Sequence, residues 1–164
     1  MGFDQISLKG RALRLLAGRE HSRAELQRKL SAHETEPGEL AKALDELEAK
    51  GFINEQRVLE SVLHRRSARL GAARVRQELQ AKGLDPQAVA AAVASLQGSE
   101  EARAREVWRK KFGEPPRDAA ERGKQMRFLL TRGFGSEVVR RVLRGGATTD
   151  RFGDGENEDL PLDD

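Results

Sequence analysis

Residues 71–96, GAARVRQELQAKGLDPQAVAAAVASL, decide how the chain reads. Val75 and Leu79 lie four apart and share one helical face. Ala81, Lys82, Gly83 and Leu84 end that helix, because glycine adopts the left-handed conformation that most residues avoid. Asp85 and Pro86 start another. Asp is a good N-cap, and Pro at the first helical position sacrifices an N–H that has no helical partner there. Val89, Val93 and Leu96 then recur at helical spacing. The stretch predicts two short helices around a sharp stop.

The same pattern is written again near the C-terminus. LLTRGF at 129–134 stands where LQAKGL stands at 79–84, and Val139 and Leu143 follow Gly133 as Val89 and Val93 follow Gly83. Upstream the match loosens. Leu26 and Leu30 echo Val75 and Leu79, and Leu40, Leu44 and Leu47 keep the spacing of Val89, Val93 and Leu96, across a longer turn with Gly38 after Pro37. Any helical protein uses glycine stops between apolar stripes. That does not account for the shared base, glycine and apolar residue followed by one spacing, so an internal repeat is expected.

Working outward, three units of three helices are predicted, at residues 8–52, 54–96 and 99–145. The first opens on a stripe of Leu8, Ala12, Leu15 and Leu16 and continues through a capping box at Ser22-Arg23-Ala24-Glu25. Asn54 caps the next helix, whose apolar face is Val58, Leu59, Val62 and Leu63. The third unit begins with Ser99 as a cap before Ala104, Val107 and Trp108. It continues from Asp118 with Met126, Leu129 and Leu130 buried, and closes with a helix capped by Ser136. Residues 147–164 hold no period and read as a disordered acidic tail. Helices of three or four turns do not persist alone, so each unit must bury its stripes against its own neighbours. The fold class is all-α, an elongated array of three tandem three-helix repeats resembling helix-turn-helix units.

Composition agrees. The 164 residues include one Trp, six Phe and no Tyr, and 35% are charged, which favours helix and small cores. Cysteine is absent, which excludes disulfides, thiolate nucleophiles and Cys-ligated zinc. No apolar run is long enough to span a bilayer, and the first residues lack a signal-peptide pattern, so a cytoplasmic protein with no membrane partner is expected. The net charge of +3 hides an asymmetry. From residue 153 onward there are six carboxylates and no base, and with those set aside the chain carries +9. A basic folded part suits an acidic partner.

Enzymatic chemistry finds no footing. His21, His33 and His64 read as surface residues. Glu60 and His64 fall short of a zinc ligand set, so neither a metal site nor a cofactor is expected. Ser22 beside His21 lacks a third group to orient a base, and Gly145-Gly146 follows a helix rather than a strand. Asp45, Glu46 and Glu48 lie on or beside a solvated face. No catalytic residue is assigned.

The basic residues form two clusters. Arg65, Arg66, Arg69, Arg74 and Arg76 crowd the middle unit, with Lys82 shortly after, and such arginines pair with phosphates or carboxylates. Arg103, Arg105, Arg109, Lys110 and Lys111 form the second, around Trp108, which is expected to anchor the core between units rather than stack on a base. The middle unit is the expected contact face.

At these residues the chain resembles a known family. RALRLLAGREHSRAELQRKL at 11–30, and Gly71, Arg74-Val75, Glu78-Leu79 and Lys82-Gly83-Leu84, resemble RecX, the bacterial regulators of the recombinase RecA. The resemblance implies an elongated, curved body of tandem repeats that binds the helical groove of the RecA–single-stranded DNA filament. There it would touch the single strand and suppress ATP hydrolysis and strand exchange, within DNA repair, homologous recombination and the SOS response. Arg57 matches the family, whereas Val58 stands where an aromatic is common, and the acidic tail lies outside the family pattern. The partner-binding set is thus Arg57, Arg65, Arg66, Arg69, Arg74, Arg76 and Lys82. A direct DNA-binding helical module and a scaffold for an unrelated acidic protein are the rival readings. No long heptad pattern supports a coiled-coil dimer, so a monomer is expected.

Overall fold

The computed structural model describes residues 5–146, and the residues read as a tail, 147–164, lie outside them. Among the described residues the regular structure is helical, without strands. The first unit contains α1 (Leu8–Gly18), α2 (Arg23–Leu30), a 3-10 turn (Ser31–His33) and α3 (Glu39–Ala49). The second contains α4 (Glu55–Arg66), α5 (Ala72–Ala81) and α6 (Pro86–Leu96). A 3-10 turn (Gln97–Ser99) leads into α7 (Glu100–Lys111), α8 (Ala119–Thr131) and α9 (Ser136–Gly146).

Local chemistry explains most helix starts. Ser22 accepts from the Glu25 N–H while the Glu25 carboxylate accepts from the Ser22 N–H, a complete capping box. Asn54, Asp85 and Asp118 each accept from a first-turn N–H, at 3.0, 3.1 and 2.8 Å. Two expected caps are corrected. Ser99 caps nothing, because the 3-10 turn runs straight into α7; its hydroxyl donates to Leu96 O and accepts from Arg103. Ser136 lies inside α9, whose Val139 N–H bonds the Gly135 carbonyl.

Each unit has its own core. Leu8, Ala12, Leu26, Leu30, Leu40, Leu44, Leu47 and Ile53 fill the first. The second is built on Val58, Val62, Val75, Leu79, Val89 and Val93, and the third on Ala104, Trp108, Leu129, Val139, Val142 and Leu143. Burying one such aliphatic side chain is worth roughly 1.5–3 kcal/mol, which is what short helices need to persist. Leu84 and Phe134, the apolar residues after the two matching glycines, are both buried in the cores of their own units.

Four sequence expectations are revised. Leu130 is 41% exposed, because Leu129 takes the inward position beside it. Leu63 is only half-buried. Trp108 anchors the core of the third unit itself rather than a seam between units, and its indole N–H donates to Gln125 Oε1 at 2.8 Å. Gln125 in turn donates to Glu114 O, which fixes the loop before α8. His21 is 3% exposed, not a surface residue, whereas His33 and His64 are exposed.

The joint between units is made twice from the same parts. The N-cap residue of one unit's middle helix bonds the carbonyl that precedes the next unit's glycine. Ser22 Oγ donates to Lys82 O at 2.5 Å, and Gly71 N donates to Arg132 O at 2.8 Å. The glycines turn the chain there with φ of 68° at Gly83 and 89° at Gly133. Both leave no room for a side chain: a Cβ on Gly83 would lie 2.7 Å from Ala24 Cβ, and one on Gly133 would lie 2.5 Å from Arg74 N. An arginine in the first turn of each following unit completes the joint. Arg57 donates to Gly51 O at 2.6 Å and pairs with Glu20 at 2.9 Å. Arg103 donates to Ser67 O and Leu70 O, both at 2.6 Å, and to Leu96 O at 3.1 Å. The first unit's turn at Gly38 makes none of these contacts, and its longer loop follows.

Candidate interaction surface

The joint between the first two units is also the most strongly charged buried place. Lys82 Nζ lies 2.9 Å from Glu25 Oε1, and Arg19 lies 2.7 Å from Glu25 Oε2. Burial by itself would raise the Glu25 carboxyl. The hydrogen bonds from Arg19, Lys82 and the Ser22 N–H outweigh it and hold the group at about 2. His21 sits beside this network, with Nδ1 3.0 Å from Arg19 O and Nε2 3.2 Å from Lys29 Nζ. The ammonium can only donate, so Nε2 accepts and Nδ1–H donates to the carbonyl. Burial pushes the His21 pKa down, with Arg19 and Lys29 adding to it, so the ring is neutral. Arg103 is likewise lowered by burial, with Glu100 opposing.

The predicted contact set therefore divides. Arg57 and Lys82 are committed to the joint between the first and second units, and only 17% of the Lys82 side chain is exposed. Arg28 joins them by donating to Ala81 O at 2.8 Å. Arg66 pairs with Glu78 at 3.3 Å. Arg65, Arg69, Arg74 and Arg76 are exposed and make no ion pair among the described residues. They do not share one face. Arg74 stands at the joint with the third unit, against Gly133, whereas Arg76 points along the seam with α6, beside Leu84, Pro86 and Val89.

Arg69 faces the third unit. It lines a groove with Lys110 and Lys111 of α7, with Phe128 of α8 and with Arg132 just after that helix. This grouping crosses a unit boundary and escapes a reading that weighs each charge run alone. Its signal in the sequence was the basic end of α7 together with the base before Gly133. Of the second cluster, Arg105 and Arg109 pair with Glu101 and Glu106 on their own helix, and Arg103 is committed to the joint. Among the described residues no helix is long and apolar enough to cross a membrane, and no three His, Asp or Glu side chains converge as a metal site would need.

Separate three-helix cores, joints built twice from the same parts and basic surfaces define an all-α helical-repeat protein. Family models agree unit by unit: the first three-helix domain of RecX matches residues 9–47, the second 54–93 and the third 99–143. The chain belongs to the RecX family. Its relatives include the "Regulatory protein RecX" of Leptothrix cholodnii, 55% identical over 140 residues that cover 85% of this chain and 89% of that one. The protein of the same name from Ralstonia nicotianae is 49% identical over 85% of this chain and 88% of its own. The crystal structure of RecX from Lactobacillus salivarius shares the fold, with a TM-score of 0.63 at 19% identity over 85% of this chain and 94% of that one.

Proposed function

We propose that this protein regulates a RecA-type recombinase. It lies along the helical groove of the RecA–single-stranded DNA filament, touches the strand within it, and suppresses ATP hydrolysis, recombinase activity and strand exchange. It acts in the cytoplasm as a monomer, without catalysis of its own, through working units at residues 8–52, 54–96 and 99–145. The observation that supports this most is the duplicated joint, which sets the units in a fixed order with exposed arginines on the middle one that make no ion pair among the described residues. A body of that kind can bridge successive subunits of a filament. Arg65, Arg69, Arg74 and Arg76 offer cations on more than one side of the middle unit, Arg66 stands among them, and Arg57 and Lys82 act by holding the units at their angle.

The test is RecA ATPase on single-stranded DNA with this protein titrated in below equimolar amounts. Inhibition is expected, and the triple reversal Arg65→Glu, Arg69→Glu, Arg76→Glu should abolish it while leaving helix content unchanged. Inhibition that survives the reversal would show that these arginines are not the contact residues. Tight binding to naked DNA with a steep salt slope, by contrast, would favour a direct DNA-binding module.

A further inference from the structure

The groove between the second and third units has a volume of about 540 Å³. Ala68, Val107 and the Phe128 ring are the apolar part of its lining, and Arg69, Lys110, Lys111 and Arg132 the basic part. Glu106 is the single carboxylate among its lining residues, and Arg109 already holds it at 2.8 Å, with Lys110 at 3.7 Å. Phe128 gathers the charge: Lys111 Nζ lies 5.6 Å and the Arg132 guanidinium 4.9 Å from its ring centroid. Phe112 packs edge-on against the same ring, with centroids 5.4 Å apart. A ring engaged by two cations and a second aromatic is poorly placed to stack on a base. The groove suits a peptide that carries carboxylates with aliphatic side chains between them.

We propose that this groove is the docking site for the chain's own acidic segment, residues 153–164, GDGENEDLPLDD. The charges complement each other, six carboxylates and no base against four cations. The apolar parts do too, since Leu160, Pro161 and Leu162 stand among the acids as Ala68, Val107 and Phe128 stand among the cations. Reach is sufficient. α9 packs on α7 and ends at Gly146, with Gly145 against the Arg105 guanidinium, one residue from the groove's Glu106. Residues 147–153 can extend roughly 23 Å, more than the roughly 18 Å length of a twelve-residue helix such as α7. A docked segment covers Arg69, so an acidic partner has to displace it. That consequence alone rests on the filament reading.

Because the chain has no cysteine, one introduced by Asn157→Cys takes a nitroxide label without altering a charge. Amide resonances of the labelled full chain are then recorded. Broadening is expected at Lys110, Lys111, Phe128 and Arg132 and not at Arg14 or Arg76. It should vanish near 1 M salt, where the screening length falls to about 3 Å, and in Lys110→Glu/Lys111→Glu. If that variant does not fold, Glu158→Gln/Asp159→Asn takes two of the six carboxylates from the other side and should reduce the broadening. No broadening at the groove, or equal broadening over every basic surface, overturns the assignment. So does broadening that passes only between molecules in a mixed labelled sample, which gives the groove to a second copy. The assay contains neither RecA nor DNA, so its outcome is independent of the filament experiment.

Discussion

Replacing Gly71 by alanine adds one methyl group at the joint between the second and third units. The backbone there, with φ −75° and ψ 165°, is comfortable for any residue, so the cost is one of space. The methyl would overlap the Gly133 carbonyl and the Phe134 nitrogen, far inside the 3.0 Å that real side chains keep, and neither backbone atom can rotate away. Overpacking of this kind costs roughly 1–3 kcal/mol. Opening the joint also weakens the Gly71 N–H bond to Arg132 O, worth about 0.5–1.5 kcal/mol. Alanine returns roughly 0.4–1 kcal/mol by restricting the unfolded chain. The net loss is about 2 kcal/mol at the middle of these ranges and roughly 0.5–4 kcal/mol across them, and it falls on the coupling between units rather than on either core. Urea unfolding followed by two probes reads this directly. Far-UV circular dichroism reports all helices, and the single tryptophan, Trp108, reports the third core. In the parent protein the two curves should coincide. In Gly71→Ala the Trp108 curve should move to lower urea and separate from the helix signal. Gly98→Ala, where nothing lies within 4 Å, is the control and should shift neither curve. A Gly71→Ala protein that unfolds like its parent by both probes would refute the steric reading of the joint.

Glu25 makes stability depend on pH. Its folded pKa of about 2 lies below the ordinary value of 4.5, so its contribution is complete above pH 4.5 and is lost as pH falls toward 2. The full shift corresponds to on the order of 3 kcal/mol as an upper bound. Glu25→Gln should be less stable at neutral pH and should flatten the acid limb of the urea midpoint plotted against pH; an unchanged limb would exclude this carboxylate as its source. Arg103→Met keeps the aliphatic stem but strips the donors from Ser67 O and Leu70 O, with an expected loss of about 1–3 kcal/mol in thermal unfolding. Arg103→Lys should recover only part of that loss, because one ammonium cannot reproduce the planar fork.

The three-unit plan was legible because it depends on neighbours in sequence. Ser22, Asn54, Asp85 and Asp118 cap helices that begin within three residues of them, and the apolar stripes lie one turn apart. Ser99 and Ser136 show the limit. Their composition suits a cap, but the path of the backbone into α7 and α9 placed them elsewhere. The candidate surface was legible only as a supply of bases. Nothing in the charge run at 65–82 distinguishes Arg76, which is exposed, from Lys82, whose partner Glu25 lies 57 residues away in another unit. The burial of His21 and Gln125 was hidden for the same reason: their partners belong to other segments.

What the sequence by itself determined is the brick: the short helices, most of their caps, the glycine stop and most of the stripe that turns inward, all of them short-range consequences of propensity and period. What only the tertiary structure decided is how one brick meets the next, and hence which cations remain to be offered. Arg57, Lys82 and Arg103 are held by carbonyls and carboxylates of neighbouring segments, while Arg69 is left beside Lys110, Lys111 and Arg132. The reason is that side-chain electrostatics act over a few ångströms of space without regard to separation along the chain, so a base is spent or exposed only once the units have docked.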